Sequence, residues 1–180
     1  MKGRKKYLIC ILIGLVFLCG YRYYKINNNV ARTYLIDKYV LGQVVKLDNT
    51  EIKVKSIKKA QHTISADGDS NISYALEVNI KNISKNIISF GGITESKLSF
   101  GVYYRDYCDV TGDVTKIRKL LPQEEANVTL TYDITKNDID YIKNEDKVEF
   151  YIGTGLYKNE IVEKTKKMQL YGKIIELGCD

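Results

Sequence analysis

Four cysteines and one histidine set the limits on thiol and imidazole chemistry in this chain. Cys10 and Cys19 lie nine residues apart in an apolar run, a spacing that builds no metal cluster. They read as small apolar residues of a membrane helix. Cys108 and Cys179 would both lie outside that membrane, where an oxidising exterior permits one disulfide between them. No Cys-x-x-Cys pair occurs, so zinc-binding and thioredoxin-like chemistry have no foothold. His62, in "KKAQHTIS", has no serine elbow elsewhere in the chain to act on, so no hydrolytic triad assembles. It reads as a surface histidine.

Other polar clusters give equally little. Asp67-Gly-Asp-Ser-Asn71 opens like a calcium loop. Such a loop needs Gly at its sixth position and Glu at its twelfth, and Ile72 and Val78 stand there. A solvated hairpin loop fits better. Asp138 and Asp140, or Glu124 and Glu125, are neighbours in sequence, but nothing in their spacing sets two carboxylates across a cleft as glycoside hydrolysis requires. Gly153-Thr-Gly155 is a lone turn and not a phosphate-binding loop. The expectation is therefore a chain that is not an enzyme, with no catalytic residue, no metal ligand and no cofactor. Tyr103, Arg105 and Tyr107 form the one dense aromatic and cationic group. These residue types favour partner surfaces because they bury area and keep polar tips.

Short strands must carry these residues. In "YALEVNIKN", Tyr74, Leu76, Val78 and Ile80 alternate with polar neighbours, the period of a half-buried strand. Val128, Leu130, Tyr132 and Ile134 repeat the pattern. So do Val148, Phe150 and Ile152. "KLSFGVYY" reads as one strand with Leu98, Phe100, Val102 and Tyr104 on the core face. Ile52 and Val54 alternate until Ile57 breaks step, as at a bulge. Met168, Leu170 and Ile174 mark a last strand. Asp48-Asn49 suits a tight hairpin. Gly91-Gly92 and Leu121-Pro122-Gln123-Glu124 also read as turns. No long amphipathic helix is expected after Tyr39. Many short strands at this spacing predict an all-β sandwich.

The N-terminal segment differs from the rest. Residues 1–32 hold seven of the 28 basic side chains and no acid, leaving 21 against 22 acids in residues 33–180. The excess of +6 therefore belongs to the leader, and the folded part lacks the basic surplus of a nucleic-acid binder. Lys2–Lys6 precede an uncharged run, Tyr7–Tyr21, in the order of a signal sequence or anchor. The basic end is expected in the cytoplasm and the rest outside. Fifteen helical residues reach about 22 Å against a hydrocarbon core of about 30 Å. Counting to Tyr24, with Arg22 and Lys25 snorkelling, brings the run to eighteen. Leu18 and Asn29 stand at the −3 position of the two candidate cleavage sites, where small residues are needed. A retained anchor over 7–24 is thus expected, with lipid attachment at Cys19, or cleavage and release, as the alternatives. Residues 1–6 would form a cytoplasmic tail, 25–38 a tether and 39–180 the exported domain.

The order of features resembles a family of immunoglobulin-like extracytoplasmic modules found on Gram-positive membrane proteins and lipoproteins. The likeness runs over about residues 39–175. It lies in Gly42-Gln-Val-Val45 leading to Glu51–Ile57, in Val78-Asn-Ile-Lys-Asn-Ile-Ser-Lys85, and in Leu120-Leu-Pro-Gln-Glu124 before a strand. The family has glycine where this chain has Gln123. The resemblance implies an immunoglobulin-like antiparallel β-sandwich and carries no active residues. The combined expectation is a binding or scaffolding module at the bacterial cell surface. It would meet membrane lipid through its first helix and a protein or envelope partner through its domain, without nucleic acid. The alternatives are an accessory subunit of a membrane secretion or conjugation complex and a lipoprotein sensor.

Overall fold

The computed structural model describes residues 2–28, 30–31, 33–63, 70–135, 138, 142 and 147–178, the side chains at 2–6, 8–10, 61–63 and 70–71 excepted. Helix α1 spans Lys2–Asn27, and strands β1 (Thr33–Val40), β2 (Val44–Lys46), β3 (Thr50–Thr63) and β4 (Ser70–Asn82) follow. A 3-10 turn, Gly91–Glu95, leads into β5 (Lys97–Phe100), β6 (Tyr103–Arg105) and β7 (Asp109–Gly112). Helix α2 (Val114–Arg118) precedes β8 (Glu125–Ile134) and β9 (Val148–Tyr151). A second 3-10 turn, Thr154–Tyr157, runs into helix α3 (Lys158–Lys166) and then β10 (Gln169–Glu176).

The strands form two five-stranded sheets, ordered β1-β10-β9-β5-β6 and β2-β3-β4-β8-β7. Alternation along the strands dictates this. Tyr74, Leu76, Val78 and Ile80 of β4 are buried together with Val128, Leu130, Tyr132 and Ile134 of β8, their antiparallel ladder partners or near partners. Facing them from the other sheet are Leu98, Phe100, Val148 and Phe150. The Tyr74 and Phe100 rings meet at 4.9 Å between centroids, within the range where tilted aromatic pairs attract. The ladder between β3 and β4 slips between Val54 and Ser56, which is the bulge that Ile57 signalled. Gly112 closes β7 at φ 91°, and a Cβ there would stand 2.7 Å from the Asn127 carbonyl oxygen, so only glycine fits.

Four local expectations change. The tether is shorter than 25–38, because α1 continues to Asn27 and β1 begins at Thr33, paired in parallel with β10 from Thr33↔Gln169 to Val40↔Glu176. "KLSFGVYY" is a hairpin and not one strand. Gly101 takes φ 68° and turns the chain, which leaves Val102 98% and Tyr104 56% exposed and tucks Tyr103 against the core instead. β10 buries Tyr171, Lys173, Ile175 and Leu177 along with Ile174, while Leu170 is exposed, so its core face is one residue out of the expected phase. Finally, "KNEIVEKTK" is a nine-residue helix, α3, that no apolar periodicity announced.

The expected membrane crossing over 7–24 is not shown. Among the described residues no helix is long and apolar enough to cross a membrane. The expected span drew on residues 8–10, whose side chains lie outside the description, and beyond Tyr21 the helix meets Arg22, Lys25 and Asn27. The apolar side chains from Ile11 to Leu18 are all exposed.

Candidate functional site

The β5–β6 hairpin and the link to β7 bring two exposed aromatic side chains close together in the chain. β6 is the last strand of one sheet and β7 the last strand of the other, so residues 106–108 pass from one open edge to the other. Along this passage Tyr104 and Tyr107 (68% exposed) stand in solvent beside Val102. The Lys97 ammonium lies 4.6 Å from the Tyr104 ring centroid, a cation–π contact that orients the phenol. Of the three residues nominated by sequence, Tyr107 is on this surface. Tyr103 and Arg105 turn the other way. Tyr103 packs on Phe100 at 6.4 Å, and its phenol pKa is raised by burial and by Asp138. Arg105 reaches Asp138 at 3.9 Å. They brace the hairpin from behind.

The other nominated residues lie apart from it. Cys19 is exposed on α1 and free. Cys108 is a buried free thiol within hydrogen-bond reach of the Tyr132 side chain, and burial pushes its pKa up, so it is held as an unreactive thiol. Cys179, its expected partner, lies outside the described residues, as do Asp67, Asp69 and Asp140. His62 lies in β3 opposite Asn71, its side chain outside the description. Glu124 and Glu125 are engaged locally: Glu124 accepts from the Leu121 amide at 2.9 Å, and Glu125 pairs with Lys81 at 3.4 Å. Among the described residues no three His, Cys, Asp or Glu side chains gather as a metal site.

Sequence reasoning missed a polar network at the edge where β1 meets β10. Its centre is Lys173, whose side chain is 4% exposed. The Lys173 ammonium donates to the Lys46 carbonyl of β2 at 2.7 Å and to Glu160 of α3 at 2.7 Å. Glu160 also lies 3.0 Å from the Tyr171 hydroxyl, which contacts Asp37 of β1 at 2.5 Å. Burial and these two carboxylates push the Tyr171 phenol well above its ordinary range. Tyr157 stands edge-on to Tyr171 at 5.9 Å, and its hydroxyl bridges the Ile152 carbonyl and the Lys173 amide. The only sequence signal is one tyrosine and one lysine, Tyr171 and Lys173, two residues apart in an apolar strand.

Next to this network lies a cleft of about 320 Å³. Its walls include Tyr34, Tyr151 and Tyr157, with Glu95 and Lys97 at the rim and Gly172 in the floor. The Tyr34 hydroxyl is 3.8 Å from where a Gly172 Cβ would stand. Tyr34 is also among the groups that raise the Tyr151 and Tyr157 phenols, after burial in both cases. Glu95 lies close against two glycines. A Cβ at Gly155 would be 3.2 Å from its Oε2, and one at Gly153 would be 3.3 Å from its Cβ. The lone Gly-Thr-Gly turn is thus the space that Glu95 occupies.

No protein-family model matches this chain, and no curated protein matches it either. Solved structures do. An uncharacterized β-sandwich protein from Clostridium difficile aligns at 14% identity and TM-score 0.52, over 81% of this chain and 97% of that one. The fold is a β-sandwich. A functionally unknown protein from Listeria monocytogenes aligns at 10% identity and TM-score 0.49, over 66% of this chain and 74% of that one. The yjhA protein of Bacillus subtilis aligns at 13% identity and TM-score 0.47, over 77% and 98%. All three come from Gram-positive bacteria. At such identities the likeness to the first is one of fold alone.

Proposed function

We propose that this β-sandwich is a non-catalytic binding or scaffolding module, held at the outer face of a bacterial membrane by its first helix. The observation that carries the binding reading is the hairpin at Val102, Tyr104 and Tyr107. Large apolar and aromatic side chains stand clear of the core at the open ends of both sheets. Exposed aromatic groups beside unpaired strand edges invite a protein partner. The tether is supported by the basic-then-apolar order of residues 2–21 and by exposed apolar side chains on α1 with no single apolar face. A helix that is apolar all round fits lipid better than water.

The strand order supports the immunoglobulin-like connection. β3-β4-β8-β7 follow the order A-B-E-D, and β10-β9-β5-β6 follow G-F-C with an added C′. β2 extends the first sheet.

A photo-cross-linking residue at 107, in cells expressing the full chain, is expected to give discrete protein adducts, and the same residue at the exposed Lys85 to give none. Protease added to wall-less cells should digest the sandwich. Protection of the sandwich, or equal labelling at both positions, overturns the proposal. Exposure of Cys19 favours a second reading, acylation there, which predicts fatty-acid labelling lost in Cys19→Ser.

A further inference from the structure

We propose that the cleft over Gly172 is a carbohydrate site that takes a pyranose ring of an envelope polysaccharide. This rests on the outward placement of the sandwich argued above. Paired residues share a face of the sheet, so Ile36↔Gly172 and Ile174↔Tyr151 put Tyr34, Gly172 and Tyr151 on the same outer surface. Gly172 leaves a gap in β10 between two phenol rings, one from each neighbouring strand. The gap opens onto the Thr154–Tyr157 turn, where Glu95 is seated against Gly155.

The group types match a sugar better than other small ligands. A pyranose offers C–H faces that lie on an aromatic ring and a rim of hydroxyls that both donate and accept. Tyr34 and Tyr151 supply rings, Glu95 an acceptor, Lys97 a donor, and Tyr34 a phenol that can do either. A purely apolar ligand would strip water from these groups without replacing it. A phosphate would meet the Lys97 ammonium beside the Glu95 carboxylate, while the other lining cation, Lys173, is already spent on Glu160 and the Lys46 carbonyl. A space of about 320 Å³ is at the small end of ligand pockets and suits one ring with the chain running out on either side.

The test uses the full chain in a detergent without a sugar headgroup. Saturation-transfer NMR with chitotetraose, cellotetraose and mannotetraose is expected to show transfer to ring C–H protons of at least one of them. Tyr34→Ala and Tyr151→Ala should each weaken binding about tenfold, while Tyr34→Phe keeps most of it. Gly172→Val should abolish binding without loss of folding, since a Cβ there meets nothing closer than the Tyr34 hydroxyl at 3.8 Å. Absence of transfer from all three sugars, or transfer unaffected by Gly172→Val, overturns the site, as does a tetrapeptide that occupies it in their place. If the sugars fail while residue 107 still cross-links from outside the cell, only the cleft assignment falls. If the sandwich proves cytoplasmic, the binding reading falls with it.

Discussion

Asn82 has no exposed surface and uses its whole side-chain amide. Nδ2 donates to the carbonyls of Asn86, Leu120 and Leu121 at 2.8, 3.0 and 3.0 Å. Oδ1 accepts from the amide and hydroxyl of Ser84 at 2.9 and 2.8 Å. It thereby fastens the end of β4 to the turn that starts β8. Asn82→Ala would leave several buried partners unpaired and is expected to cost about 3 kcal/mol, read as a lower denaturation midpoint in urea. Gln123, in that same turn, sits at φ 63° behind Pro122, where a type II turn wants glycine. Gln123→Gly should therefore raise the midpoint, by about 0.5–1 kcal/mol. Both positions stood in segments singled out by resemblance. The sequence showed the turn, and only the structure shows that an asparagine 39 residues away from Leu121 holds it closed.

At the scale of elements, the legible strands were those whose two faces differ. β4 and β8 bury the side chains that alternation nominates, because one side meets the core and the other is more open to water; β9 buries its nominated side chains as well, although Glu149 between them is also covered. β10 misled for the opposite reason. It lies between β1 and β9, and a buried lysine occupies its core face, so its pattern reads out of phase. β1 reads as tether in the sequence because it is an edge strand with little buried surface. α3 has no fully buried residue, and its attachment runs through Glu160 to Lys173 and Tyr171. Removing the cation should show this. Lys173→Met is expected to destabilise by about 3 kcal/mol, and adding Glu160→Gln should recover part of the loss, as a double-mutant cycle by thermal melting would reveal. If the two losses simply add, Lys173 does not hold α3 through Glu160. The hairpin surface was legible in part, through Tyr107, whereas the cleft over Gly172 was the least legible part, since its residues come from β1, β5, β9, β10 and both 3-10 turns, far apart in sequence.

For the molecule as a whole, burial of phenols sets an alkaline limit. Tyr39, Tyr103, Tyr132, Tyr151, Tyr157 and Tyr171 all have pKa values raised above 10.0, with burial the first cause in each. A raised folded-state value gives stability that is complete below the unfolded pKa and is lost as pH rises past it. Unfolded tyrosines release protons near pH 10 while these six hold theirs. Stability should thus be flat with respect to these groups up to about pH 9 and fall beyond pH 10, with a shallower fall in Tyr132→Phe. Urea midpoints measured across that range check this, and an unchanged slope in the variant would count against it.

The parallel seam between β1 and β10 has a mechanical meaning. Eight residue pairs join the strand that follows α1 to the last strand of the fold. A pull along β1 from its helix end loads those pairs lengthwise and together, in shear, where a pull across them would open them one at a time. A module anchored through α1 would then transmit tension from whatever it grips to the bilayer before it yields.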